Sequence, residues 1–194
     1  AYRQGIFPWF DADQPILWWS PDPRCVIDPT SFSPSRSLAK RIRKADYELR
    51  IDDAFSQVID FCQLRSGDEG TWITDEMKAA YIQLHDSGFA HSFECYINGT
   101  LCGGLYGLSI GNLFFGESMF HHVTDASKLA FAGLMKTMAN VGCTMVDCQL
   151  TNPHLLSLGA FELSRDEFRQ VINTHINKPP IDWSQLRGVC SLIW

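Results

Sequence analysis

Apolar residues recur along this chain at two spacings, and the two alternate in blocks. Tyr47 to Ile51 reads as a strand. Phe55, Val58, Ile59 and Cys62 then fall at helical intervals, as do Met77, Ala80, Tyr81 and Leu84 behind Thr74, a residue type that caps helices. Further on, Phe93, Cys95 and Ile97 alternate with polar neighbours, Asn98-Gly99 has the composition of a two-residue hairpin turn, and Leu101 to Ser109 returns from it. Ile110-Gly111-Asn112 turns the chain again into Leu113 to Phe120, so the pattern predicts an antiparallel meander of three strands. Ala126, Leu129, Ala130, Gly133, Leu134, Met138 and Val141 form the apolar face of a long helix that Gly142 closes. The run Thr144 to Gln149 follows as a strand. Ser164 and Glu167 have the spacing of a capping box ahead of Phe168, Val171 and Ile172. Beyond Lys178 the pattern is irregular, with Val189 to Trp194 a candidate last strand.

The order strand, two helices, three strands, helix, strand, helix predicts a mixed α+β fold, one sheet with flanking helices. Residues 1–35 have a different texture. They carry six of the nine prolines and three of the six tryptophans, as in Phe7-Pro8-Trp9-Phe10 and Trp18-Trp19-Ser20-Pro21-Asp22-Pro23. Proline removes backbone donors and fixes φ, so this stretch predicts a small, irregular, aromatic-rich lobe, with a larger domain over 36–194.

The 194 residues suffice for a substantial core, and a net charge of -6 argues against a chain coated with nucleic acid while leaving room for a local basic face. Such a face is present in sequence. Arg36, Lys40, Arg41, Arg43 and Lys44 put five positive charges into ten residues with no acid among them, which by composition alone reads as a solvated helix face. No run of about 18 apolar residues offers a membrane span, nothing resembles a secretory signal, and a cytoplasmic protein is expected. The seven cysteines form no CxxC pair and mostly sit in apolar patterns, so they read as buried thiols rather than disulfides or metal ligands. His121 and His122 are adjacent, point apart and have no third ligand at useful spacing; no metal is expected.

Two carboxylates stand out. Asp147 and Gln149 lie two apart on a strand, where period-two geometry aims both at one face and turns Cys148 to the other. Glu117 sits in Phe114-Phe115-Gly116-Glu117-Ser118-Met119-Phe120, where an unpaired charge is costly to bury. Bland readings stand beside these: Asp147 capping nearby backbone donors, and Glu117 in a buried ion pair. Regular alternation would send Phe114 and Glu117 to opposite faces, so a site using both requires a bulge near Gly116.

Five segments in order resemble the leucyl/phenylalanyl-tRNA–protein transferase family: Tyr2 to Phe10, Trp18 to Arg24, Gly70 to Thr74, Gly116 to Phe120 and Asp147 to Gln149. The likeness covers essentially the whole chain. It implies the fold of the GCN5-related N-acetyltransferase superfamily, in which an antiparallel meander leads to a helix and a parallel strand. It also implies transfer of leucine or phenylalanine from aminoacyl-tRNA to the N-terminal arginine or lysine of a protein, creating a degradation signal. The expected partners are the tRNA and the acceptor protein, without membrane or cofactor, and the protein is read as a monomer. The family carries a Gly-rich stretch ahead of the first segment, so a start before Ala1 is expected.

Carried over residue by residue, the resemblance makes Asp147 and Gln149 catalytic, with Asp147 orienting Gln149 and the Gln149 carbonyl accepting a hydrogen from the attacking amine. Glu117 binds the acceptor's positive group. Leu105, Phe114 and Phe131 line the aminoacyl side-chain pocket, for which core packing is the competing role. Trp9 and Trp72 hold the terminal adenine, unless Trp9 merely cements its lobe. Arg36, Lys40, Arg41, Arg43 and Lys44 meet tRNA phosphates. Two alternatives stay open: an acyl-CoA-dependent N-acyltransferase, although His121 to Lys128 lacks the glycines of a pyrophosphate loop, and a non-catalytic module that binds RNA ends or protein N-termini.

Overall fold

The strands and helices predicted by spacing are present in the computed structural model, which describes residues 1–10, 14–64 and 72–192. After a 3-10 turn at Tyr2–Gln4, the short strands β1 (Phe7–Pro8) and β2 (Trp18–Trp19) pair with each other. The remaining strands are β3 (Arg24–Ile27), β4 (Glu48–Ile51), β5 (Ala90–Ile97), β6 (Thr100–Ile110), β7 (Leu113–His121), β8 (Met145–Gln149), β9 (Phe161–Leu163) and β10 (Gly188–Cys190). They form one sheet in the order β10-β4-β5-β6-β7-β8-β3-β9. Only β7 and β8 run parallel within it; the other neighbours are antiparallel. The helices are α1 (Arg36–Arg43), α2 (Phe55–Leu64), α3 (Asp75–Asp86), α4 (Ala126–Asn140), α5 (Pro153–Ser157) and α6 (Arg165–His175).

This is a mixed α+β fold, and the meander β5-β6-β7, the helix α4 and the parallel strand β8 follow in the expected order. Local chemistry explains the joints. Asn98 and Gly99 both take positive φ, 51° and 75°, as a two-residue hairpin turn requires. Thr74 accepts from the Met77 N–H, and Ser164 with Glu167 closes a full capping box on α6. One face of the sheet buries α1 and α4 around Phe93, Phe114, Phe131 and Leu134; the other buries α2, α3 and α6 around Val58, Tyr81, Tyr106 and Phe168. Among the described residues no helix is long and apolar enough to cross a membrane. All seven cysteines are free thiols, five of them buried.

Three features were not anticipated. β3 lies inside the stretch expected as a separate lobe, yet it is a strand of the large sheet between β8 and β9, with Cys25, Val26 and Ile27 fully buried. Prolines on both sides mask that apolar run; the chain enters the sheet at Arg24, well before residue 35. Neither α5 nor β9 was legible by spacing. β10 covers the start of the predicted last strand, whereas Ile193 and Trp194, like Gly70 and Thr71 of the resembling segment, lie outside the described residues.

The pairing of β6 with β7 shifts register. Tyr106 opposes Ser118 while Gly107 opposes Gly116, so Glu117 is the extra residue of a bulge. Gly107 sits across from it without room for a side chain: a Cβ there would overlap the Phe115 carbonyl oxygen and come 2.5 Å from the Phe114 ring.

Candidate active site

β7 and β8 are hydrogen-bonded neighbours for only three residues each, Leu113–Phe115 against Met145–Asp147. Beyond Phe115 they part, and a cavity of about 640 Å³ opens between them. Gly116, Glu117, Ser118 and Met119 line it from β7, and Val146, Cys148, Gln149 and Leu150 from β8 and the residue after it. Because the sheet itself splits here, the cavity touches both faces. Its wall includes Leu105, Phe131 and Leu134 from the α4 side, and Tyr106 and Trp72 from the α2–α3 side. Trp9 closes the rim.

Glu117 is held by phenols rather than by a cation. Tyr2 Oη donates to its Oε1 at 2.7 Å and Tyr81 Oη donates to its Oε2 at 2.7 Å, while the two hydroxyls lie 2.8 Å apart. Burial pushes its carboxyl up to about 7, assisted by the charge of Asp147 and opposed by the two tyrosine hydrogen bonds and by Arg24. The bulge expected near Gly116 is therefore the feature that presents this group.

Asp147 requires a correction. Its side chain is wholly buried and does not line the cavity. Arg24 grips it with Nε to Oδ1 at 2.8 Å and Nη2 to Oδ2 at 2.7 Å. The same Oδ1 accepts the backbone N–H of Gln149 at 3.0 Å, so Asp147 reaches Gln149 through the main chain and not through the amide. Strand alternation fails at this point because β8 carries an extra residue: Cys25 pairs with Gln149 and Val26 with Asp147, leaving Cys148 unopposed, and Gln149 adopts φ 59°. Its side chain turns into the cavity together with Cys148, whereas Asp147 faces Arg24. The Gln149 Nε2 is buried without a hydrogen-bond partner; amide N and O exchange on a half-turn, so either can be the end that a substrate meets. The Cys148 thiol is pushed well up, by its hydrogen bond with Cys25 and by burial, which suits a wall and not a nucleophile.

The other predicted residues divide. Leu105 and Phe131 line the cavity; Phe114 does not. It lies in the core with no exposed surface, its ring near those of Phe93 and Trp183, because it precedes the point where the strands part. Trp9 is 39 % exposed, and its carbonyl accepts from Trp19 Nε1 at 2.6 Å. Arg36, Lys40, Arg43 and Lys44 are exposed on and just after α1, while Arg41 is partly covered, paired with Asp46 and set over the Tyr47 ring. Sequence reasoning gave no role to Arg24, Tyr2 or Tyr81. Arg24 and Tyr2 stand inside the resembling segments, but no spacing connects Tyr2 to Tyr81 or Arg24 to Asp147 across such lengths of chain.

The profile of the family described as leucyl/phenylalanyl-tRNA protein transferase matches residues 26–173, and that of its N-terminal domain matches residues 1–22. A leucyl/phenylalanyl-tRNA–protein transferase of Chromobacterium violaceum is 52 % identical over 183 residues, covering 94 % of this chain and 78 % of that protein. Another from Psychrobacter arcticus is 51 % identical over 189 residues, covering 94 % and 70 %. Among solved structures, L-PGS from Bacillus licheniformis aligns over 87 % of this chain and 58 % of that one, at 12 % identity and a TM-score of 0.48. The chain belongs to the leucyl/phenylalanyl-tRNA–protein transferase family. It is an aminoacyltransferase, and the acyl-CoA and non-catalytic alternatives are not favoured.

Proposed function

We propose that the split in the sheet brings the aminoacyl end of a tRNA and the N-terminus of an acceptor protein together from its two faces. The observation that carries this reading is one cavity shared by an apolar wall, a phenol-held carboxylate, two tryptophans and an unpartnered glutamine amide. Trp9 and Trp72 stack the terminal adenine, a grip worth about 1 to 3 kcal/mol per base. Leu105 and Phe131 receive the leucine or phenylalanine side chain, apolar walls that tolerate two shapes and reject charge. Glu117 takes the positive group of an N-terminal arginine or lysine. Arg36, Lys40, Arg43 and Lys44 meet phosphates of the acceptor stem, and Arg41, already paired with Asp46, contributes least.

The reaction is aminolysis of an ester. The acceptor's α-amine attacks the carbonyl that joins the amino acid to the terminal ribose; a C–N bond forms, the C–O bond breaks, and the ribose oxygen leaves with a proton the amine gives up. An α-amine has a pKa of about 7.7 to 8, so a usable fraction is neutral at pH 7 and no strong base is needed. The Gln149 carbonyl accepts from the amine as it becomes cationic, and orientation of the two reactants supplies much of the rate. Action as a monomer and a cytoplasmic location complete this reading, the latter in keeping with an aminoacyl-tRNA donor.

The test follows labelled leucine or phenylalanine from tRNA onto peptides beginning with arginine, lysine or alanine. Label on the first two and not the third is expected, with Gln149→Ala slowing single-turnover transfer about 100-fold or more while tRNA binding holds. Equal labelling of all three peptides would sink the assigned acceptor site.

A further inference from the structure

Arg24 is the bulkiest of the fully buried side chains among the described residues, only 1 % exposed. Every face of its guanidinium is used. Besides the fork on Asp147, Nη1 donates to the Gly5 carbonyl at 3.0 Å, and the rings of Phe7 and Phe168 cover it at 4.8 Å and 4.5 Å. Stability does not require such a group, because well-packed apolar residues commonly replace a buried ion pair without loss. What the pair does fix is geometry. With both carboxylate oxygens engaged, Oδ1 stands where the Gln149 N–H meets it, and that bond holds a non-glycine residue at φ 59°, a left-handed conformation such residues seldom adopt. Were Gln149 to relax into the strand, alternation would return its amide to the Asp147 side.

We propose that Arg24 is a positioning residue for transfer: through Asp147 it sets the backbone of Gln149 and thereby aims the amide into the cavity. The inference rests on the role given above to Gln149. Since Gly5 and Phe7 belong to the segment that carries Trp9, the same guanidinium ties that aim to the seating of the adenine-binding rim.

A kinetic double-variant cycle tests it, using the full chain, charged Leu-tRNA and an Arg-initial peptide. Arg24→Lys keeps the charge but loses the fork. It is expected to lower kcat about tenfold or more while KM for Leu-tRNA stays within about threefold, since a displaced amide harms the reacting geometry and not the grip. In the Gln149→Ala background the same change should cost less than about twofold, because the residue it positions is gone. A merely structural arginine would slow both backgrounds alike, and that result, or a change confined to KM, overturns the proposal. Parental kcat in Gln149→Ala would instead dispose of the role given to Gln149, and the inference with it. Should Arg24→Lys not fold, Phe168→Leu, which thins one wall around the guanidinium away from the cavity, runs through the same cycle, with a drop of about threefold in the parent and none in Gln149→Ala expected.

Discussion

Glu117 and Asp147 are two buried carboxylates on neighbouring strands, and their surroundings assign them opposite work. Asp147 has a guanidinium on both oxygens and a backbone N–H besides; it is electrically settled and structurally committed. Glu117 has two neutral hydroxyls and no cation, which leaves its carboxyl near 7 and its charge without a partner. On the reading proposed above, a site for a cationic group leaves its carboxylate unpaired in this way, and a cation supplied from within the protein would occupy it. The lesson is that a carboxylate near a cavity is judged by what it already holds.

That contrast can be broken most violently at Asp147. Asp147→Ala strands a buried guanidinium, and a loss of about 3 to 5 kcal/mol in folding free energy is expected by denaturant titration. A loss below about 1 kcal/mol would show that the pair is not the structural half of the comparison. Glu117→Gln should do the reverse, leaving the melting temperature undiminished while raising KM for Arg-initial peptides about tenfold or more. In the parent that KM should fall as pH rises through about 7, as the carboxyl ionises, and in the variant the dependence should disappear. A third carboxylate sharpens the point from outside the cavity. Glu94 accepts from Ser92 and from the Ala54 N–H, its Oε2 has no partner, and burial lifts it to about 7 from an ordinary 4.5. Its folded value exceeds its unfolded one, so the folded state binds the extra proton between these limits, and stability falls as pH rises from about 4.5 to about 7. Glu94→Gln should therefore stabilise the fold by about 2 to 3 kcal/mol at pH 8 and hardly at all near pH 4.5, with transfer unchanged. Altered transfer would mean that a vacant carboxylate signals function wherever it lies.

Much of this was legible in the chain because it is local. Asn98-Gly99 announces its hairpin and Ser164 with Glu167 its helix start; the bulge expected from a site shared by Phe114 and Glu117 is in the β6–β7 register, although Phe114 itself stays in the core. What escaped is set by contacts between distant segments. Period two placed Asp147 with Gln149 on one face, and an extra residue in β8 at Cys148, with Gln149 left-handed beside it and bonded back to Asp147, undid that. Phe114 read as a pocket residue although the strands separate only after it. Tyr2 and Tyr81 meet at Glu117 from 115 and 36 residues away, beyond any periodicity.

Gly107 touches none of the groups assigned to substrate, yet it faces the extra residue of β7 with no space for even a methyl group. A side chain at that position would push the two strands apart, and the cheapest repair is to straighten the kink, which withdraws the acidic group from its opening. Intolerance of alanine there would thus reflect the architecture of recognition rather than recognition itself, and a selection for active variants would find the position invariant for reasons no substrate contact explains.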